Sequence, residues 1–515
     1  MTPEELQAKH MNGDFKLKGE FAGSDYSREE TLTRCERYAG WTLPGVFPDD
    51  PLLEYDELQN DFQSVGAQAT INLANRIMMV LFQPSRPFFR MKLTDEQREN
   101  LRGDGRTDAE IDAALAKAER EAVGQLTNRN ARIKLTEAIT SLIITGNALL
   151  YTPEDTDKHY QTYTLRDYVL VRDLVGRVVK IITRETKSVR GLSDELQAVV
   201  LQQGFHEDDE VTIYTGVQRV GENKYVAWQE LEDVCYCSKG IGIYNQDTLP
   251  WIPLVWNLAR NKDYGTGLVE NYSGDFHTLS TLAEAILDYT VMVTDIKHLV
   301  DPTGSTDVRE LTEAPSGAYV HGREGDIFTL QAQVSNNADF LREQMLHVER
   351  RIAAAFLLNT AVTRDAERVT AEEIRLQAQE LENSLGGVYS RLAVELQKPL
   401  AIRVLSELSP VFKGVEPVIV TGLESLSRSS DLDRIRLFFA DLVALAEVPE
   451  EVRIRIDYDE LIAMLGAGHG IDYKKFLKTP EQVKESTAES VRLNATAAGM
   501  EEQARSVGQQ AGTPT

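Results

Sequence analysis

The residues of this chain whose types and spacing invite chemistry are its close acidic pairs, Glu372 with Glu373 and Asp457 with Asp459. Two neighbouring carboxylates can ligate a divalent cation or divide the acid and base work of glycoside cleavage. Neither pair is completed by a motif, since the chain has no HExxH, no GxSxG, no Walker sequence and no DxDxDG calcium loop. Carboxylates at a helix start also have a plainer use, offsetting the positive end of the helix dipole. The eight histidines are dispersed without metal-ligand spacing. Cys235 and Cys237 alternate along a strand-like run but lack the second ligand pair a zinc site needs, and with Cys35 they are too few for a disulfide scaffold. Gly240-Ile241-Gly242 and Gly265-Thr266-Gly267 lack the strand, helix and further glycines of a phosphate loop and are expected to be turns. The expectation is therefore no catalytic residue, no metal, no cofactor and no enzymatic activity.

A second constellation is basic. Arg364 and Arg368 stand one helical turn apart in a polar segment, 357–369, that also holds Thr363, Asp365 and Glu367. The two arginines could touch a phosphate chain or pair with the acids beside them. The elements around this segment are built to hold it. Ahead of it, Leu341, Met345, Val348, Ile352 and Phe356 mark one face of a helix. Behind it, Thr370 caps a helix with Glu373 at N3, and Ile374, Ala378, Leu381, Leu385, Val388, Leu392 and Leu396 form its apolar stripe. Gly386 and Gly387 interrupt that stripe, weakening the helix by about 1–2 kcal/mol relative to alanine and marking a kink.

The chain has 515 residues, enough for more than one core, with 42% apolar and 26% charged side chains, the composition of a folded protein. A formal charge of −26 argues against gripping nucleic acid through a broad basic face, though not against a duplex passing by unheld. No apolar run is long enough to span a membrane. The acidic N-terminus, with Thr2, Pro3 and Glu5 reading as a helix cap, is unlike a secretory signal, so the protein is expected to act where it is made.

In order along the chain, Phe62, Val65, Ala69, Leu73, Ile77 and Leu81 predict a helix ended by Pro84 and Pro87, with an extended piece from Phe88. Thr94 with Gln97 and Thr107 with Glu110 are capping boxes, and one long helix is expected over Ala109–Ser141. From Tyr163 to Trp228 the period is two, giving four strands of an antiparallel meander, with a short helix near 192–203. A helix from Ser273, apolar over much of its circumference, should be enclosed on more than one side. With the helix ending at Phe356 it brackets a small excursion of three or four extended pieces, a stalk with a tip. Pro399 and Pro410 punctuate a further helix, Glu416–Val420 reads as a strand, and Thr479-Pro480 opens a late helix. The class is α+β, mainly helical.

Four strings carry a resemblance: SVGAQATINLANRIMMVLFQPSRPFFRMKLT at 64–94, YGTGLVENYSGDF at 264–276, FLLNTAVTRDAERVTAEEIRLQAQELENSLGGVYSRLAVELQKPL at 356–400 and EPVIVTGLESLSRSSDLDRI at 416–435. The chain resembles the portal, or head–tail connector, proteins of T7-like short-tailed bacteriophages. The resemblance implies a ring of twelve copies at one capsid vertex, assembled in the host cytoplasm, through which a terminase motor packages double-stranded DNA that is later ejected. It implies a wing over 1–272 and 370–430, stem helices over 273–298 and 335–356, and a clip over 299–334. A tunnel loop would occupy 357–369, a crown 431–500 and a disordered tail 501–515. Leu287, Val291, Leu341, Met345, Val348 and Ile352 would pack the stem, and Thr363, Arg364, Asp365, Glu367 and Arg368 would face the channel. Expected partners are the terminase large subunit, tail adaptor and nozzle proteins, and the major capsid, scaffolding and internal core proteins. The competing readings are a structural ring of a virion or baseplate without a DNA conduit, and a metal-dependent nuclease or ATPase.

Overall fold

The computed structural model describes residues 16–47, 61–82, 87–93, 95–103, 107–153, 158–231, 236–237, 242–294, 297–330, 337–358, 380, 384–385, 387–408 and 416–419, with 440 and 461 singly. The chain divides into two units, Met1–Leu423 and Glu424–Thr515. Apart from those two single positions, the expected crown and tail lie outside the described residues, as do Cys235, both acidic pairs and the caps expected at Thr2, Thr94, Thr370 and Thr479.

The first unit begins with α1, Leu17–Ser27, and α2, Glu29–Trp41. The buried carboxylate of Glu230 accepts from the backbone N–H of Lys16 and Leu17 at 3.0 and 2.9 Å and from the Trp228 indole at 2.9 Å, fixing the start of α1 on the sheet. Then α3, Val65–Leu81, buries Ala69, Leu73, Ile77 and Leu81 on the expected stripe, whereas Phe62 lies ahead of the helix and is exposed. Gly66 is required at its start, because a Cβ there would stand 2.1 Å from the Trp41 carbonyl. Strand β1, Phe89–Lys92, pairs antiparallel with a strand more than three hundred residues later.

After α4, Asp95–Gly103, the one long helix expected over Ala109–Ser141 proves to be two, α5, Asp108–Asn128, and α6, Ala131–Thr145. Thr107 and Glu110 form the expected reciprocal cap of α5. The break falls at Asn130, whose φ of 55° is left-handed, and its cause is the neighbouring Arg129. That guanidinium is buried, donates to the Pro153 and Lys158 carbonyls at 2.6 and 3.0 Å, and stacks over Tyr160, contacts a continuous helix would not satisfy.

Gly146 ends α6 in the left-handed region, φ 79°, and β2, Asn147–Tyr151, follows. The expected first strand of the meander is two strands in two sheets: β3, Gln161–Tyr163, beside β2, and β4, Tyr168–Arg172. Between them Asp167 accepts from Thr164 N–H and Oγ1, making a tight turn that alternation alone does not reveal. The rest of the meander runs as expected through β5, Val178–Ser188, the short α7, Asp194–Gln202, β6, Glu210–Arg219, and β7, Lys224–Leu231, all antiparallel. Two further strands, β8, Tyr236–Cys237, and β9, Gly242–Asn245, both pair with β7. Strand β10, Trp251–Val255, joins β2.

The turn Gly265-Thr266-Gly267 is a crossing point. A Cβ on Gly267 would meet the Ile143 and Ile144 carbonyls at 2.7 Å, and one on Gly146 would meet Gly267 N at 2.4 Å. Asn147 closes the crossing, donating to the Gly265 carbonyl at 3.0 Å and accepting from its N–H at 2.8 Å. From here α8, Leu268–Asn271, leads into α9, Ser273–Thr294. The tip holds β11, Lys297–Val300, α10, Val308–Glu313, and β12, Ile327–Leu330, so two strands and a helix stand where three or four extended pieces were expected. The chain returns as α11, Asn337–Ala355.

Beyond it are α12, Gly387–Leu392, a π-helical turn over Ala393–Gln397, α13, Lys398–Leu408, and β13, Glu416–Ile419, the partner of β1. Pro399, expected to punctuate a further helix, stands inside continuous helix. In α geometry the proline ring would strike the Glu395 carbonyl, and it offers no N–H to that group. The π turn widens the helix there, with Lys398 N–H bonded to the Ala393 carbonyl five residues back.

Candidate functional site

The stalk is formed by α9 and α11, side by side and fixed at the base. Phe276 meets Phe356 edge-on with ring centroids 5.7 Å apart, and Arg351 donates to Asp275 at 2.6 Å. Val348 and Ile352 are buried at this base, and Met345 packs against the core, with Leu341 half-buried above it. Towards the tip the picture reverses. Leu287 is 52% and Val291 59% exposed, so the chain itself does not enclose the apolar circumference of α9. Of the twenty-two large hydrophobic side chains exposed among the described residues, eleven lie between 273 and 355. Such a concentration on one projection marks a surface covered by another molecule.

At the tip, Leu299, Tyr319 and Phe328 are exposed. The tip's shape is set by two carboxylates. Asp326 accepts from the N–H groups of Ser305 and Thr306 at 2.8 and 3.0 Å and from Thr306 Oγ1 at 2.8 Å. The Thr306 hydroxyl first, and the two backbone donors with it, hold its carboxyl below the usual aspartate range. Asp301 is lowered in the same way by the hydroxyl and N–H of Thr303.

At the foot, the chain leaves α11 through Leu357, whose φ of 57° is left-handed and strained for leucine. Asn72 of α3 donates to its carbonyl at 3.1 Å. The chain is next described at Glu380, which accepts from Arg76 of α3 at 3.3 Å. One more step along, the Gln397 amide in the π turn donates to the Leu81 carbonyl at the end of α3 at 2.6 Å. Helix α3 thus carries three successive ties to the segment on either side of the expected tunnel loop. Thr363, Arg364, Asp365, Glu367 and Arg368 lie outside the described residues, as does Gly386, while Gly387 opens α12. Asn72 and Arg76 were not singled out from the sequence. Their signal is that they are two of the three polar side chains, with Asn75, in the otherwise apolar run INLANRIMMVL.

Among the described residues no cluster of His, Cys, Asp and Glu could hold a metal ion, and no helix is long and apolar enough to cross a membrane. Cys35 is buried against the Thr145 carbonyl, and that burial pushes its thiol up to about 12, so it is no nucleophile at neutral pH.

Comparison with known proteins matches residues 16–477 to the family model described as bacteriophage head to tail connecting protein. The chain is 35% identical over 485 residues to the portal protein of Enterobacteria phage T3, covering 91% of this chain and 90% of that one. It is 34% identical over 472 residues to the portal protein of Escherichia phage T7, covering 89% and 87%. To that of Pseudomonas phage phiKMV it is 32% identical over 475 residues, covering 90% and 92%. Among solved structures it is similar to a chain from the neck of an empty GTA particle computed with C6 symmetry, at 13% identity and a TM-score of 0.36 over 78% of this chain and 90% of that one.

Proposed function

The chain belongs to the bacteriophage head to tail connecting protein family, and from that premise we propose that it is a portal, closing with identical copies, twelve by family expectation, into a ring at one capsid vertex. Double-stranded DNA would enter through the ring under the terminase motor and leave through it on ejection. The observation that carries this reading is the bare upper half of the stalk, with Leu287 and Val291 exposed on a chain of formal charge −26. A ring covers such a surface with the next copy and needs no other partner to do so.

The acidic balance suits a conduit. Binding through even 6–10 phosphate contacts changes about 10³–10⁵-fold between low and moderate salt, so a lysine-lined bore would trap the duplex it must pass. A net negative wall repels the polyanion and keeps it moving. The tip, with Leu299, Tyr319 and Phe328 bare, would receive the terminase large subunit during packaging and tail adaptor and nozzle proteins afterwards. Major capsid, scaffolding and internal core proteins would meet the wing and crown. The segment around Thr363–Arg368 would project into the bore as a tunnel loop, held at its two ends by Asn72 and Arg76.

Electron micrographs of the purified protein test the reading. Closed rings with a central hole wide enough for duplex DNA are the expected result. Rings with a blocked centre would favour a structural ring without a conduit, and open filaments or single subunits would overturn the proposal.

A further inference from the structure

The ring proposed above sets stalks side by side, and this inference rests on that reading. Along α9, Phe276, Leu279, Ile286 and Val293 form a buried and half-buried line that faces α11, and along α11 the matching line is Leu341, Met345, Val348 and Ile352. At about 100° per residue, Leu287 and Val291 lie roughly a third of a turn from that line in the sense in which the helix winds, and Met292 lies roughly a third of a turn the other way. On α11, Leu346 is displaced in the first sense and Phe340 in the second. All five side chains are exposed, Phe340 by 60%.

The first residues of α9 meet the last of α11 at the base, so the two helices run antiparallel. A half-turn about an axis perpendicular to their common plane exchanges two such helices and keeps the sense of winding, so displacements of equal sense fall on one flank of the stalk. Leu287, Val291 and Leu346 therefore share a first flank, and Met292 and Phe340 share the opposite one. The Asp275–Arg351 pair conforms, since both members turn in the second sense and do meet. A stalk bare on two opposite flanks needs a neighbour on each. Two-fold pairing covers one flank and leaves the other in water, whereas head-to-tail repetition covers both with a single kind of contact.

Copies in a closed ring share one level, so the contact joins residues of equal height. Counting at about 1.5 Å per residue from the Asp275–Arg351 pair, or from the Phe276–Phe356 contact, puts Phe340 about 17 or about 24 Å up the stalk. On either count Leu287 stands at about 17 Å and Val291 at about 23 Å, so Phe340 is level with the interval between them. Leu287 and Val291 are two corners of a hollow completed by Glu284 and Asp288, spaced i, i+3, i+4 and i+7 like the holes that receive knobs between packed helices. Its acidic corners suit the positive edge of an aromatic ring. We infer that Phe340 of one copy enters this hollow on α9 of the next, at every junction around the ring.

Introduced cysteines read the contact in the full chain. Leu287→Cys and Phe340→Cys chains are produced singly and together, isolated as rings by native mass, and treated with a short bis-maleimide, the unchanged chain with its own three cysteines setting the background. Chains produced together should give linked pairs holding one of each kind, and neither kind alone should link above background. Phe340→Ala should weaken each junction by about tenfold or more, the usual cost of removing an aromatic anchor from an interface. The residue is exposed in the single chain, so thermal unfolding of unassembled Phe340→Ala should match that of the unchanged chain, which separates assembly from folding. Leu287→Cys chains linking to one another would reveal a two-fold pairing and overturn the inference. Rings without mixed links, or Phe340→Ala rings as stable as those of the unchanged chain, would overturn it while leaving the ring in place. Failure of the unchanged chain itself to close rings would instead remove the ring reading, and this inference with it.

Discussion

Arg76 and Glu380, 304 residues apart in the chain, meet at 3.3 Å, and the arginine side chain is 9% exposed where the carboxylate is 32% exposed. This pair ties α3 to the far side of the expected tunnel loop. Replacing Glu380 with alanine strands a nearly enclosed guanidinium, and the stability lost should be about 1–3 kcal/mol, discounted from a fully buried pair because the carboxylate is wetted. Arg76→Leu together with Glu380→Leu should recover much of it. Urea midpoints of the two variants check the order.

The crossing at Asn147 predicts a larger effect. Asn147→Ala leaves the buried N–H and carbonyl of Gly265 without partners, a loss of about 2–4 kcal/mol. Gly267→Ala should be worse, because its Cβ would meet two backbone carbonyls at 2.7 Å and no side chain can move aside. Thermal melts, or the absence of soluble protein for the glycine variant, read the result.

The tip should loosen in acid. Asp326 and Asp301 are held below their ordinary value of 3.8, so the stability they contribute is present above that pH and is lost as pH falls through their lowered values. Hydrogen exchange at the Ser305 and Thr306 amides should accelerate over that fall, beyond its intrinsic pH dependence, and Asp326→Asn should show the fast rate already at neutral pH.

Cys35 should resist alkylation. With its thiol pushed up from 9.0 to about 12 by burial, the thiolate fraction at neutral pH is lower by about a thousandfold than in an unfolded chain. Peptide mapping after brief treatment with iodoacetamide should find Cys35 unmodified in the folded protein and modified in urea.

Deleting Ala361–Glu367 should leave ring assembly intact and reduce retention of packaged DNA, if the segment serves as the proposed valve. Replacing Gly386 and Gly387 with alanine should straighten that helix and impair packaging or release. Full retention in the first case, and normal packaging and release in the second, would count against these roles.

The antiparallel meander, the stalk with its tip and the β1–β13 strands were legible because each rests on a local period or a local turn. What the sequence concealed depends on distant partners. The break at Asn130 is decided by Arg129 reaching the Pro153 and Lys158 carbonyls, and its one local sign is the asparagine itself, which tolerates the left-handed region. The division of β3 from β4 is decided by a single aspartate, Asp167, bonding back to Thr164. The continuation through Pro399 escaped because proline reads as a stop unless the preceding turn widens, and that widening is invisible in the residue types. Asn72 and Arg76 give no sign of their partners, since polar residues in an apolar helix look like solvent contacts until the opposite stretch of chain is in place.

The π turn at Ala393–Gln397 also bears on how this stretch can change in length. A turn of that kind is an ordinary helix with one residue to spare. Loss of a single residue inside it would leave α12 and α13 presenting the same sides to their surroundings, at the expense of forcing Pro399 back into a narrower coil. Loss of one residue elsewhere in either helix would swing everything beyond it by about 100° and turn its apolar side to water. Length variation among related chains should therefore be tolerated at this turn and scarce on either side of it.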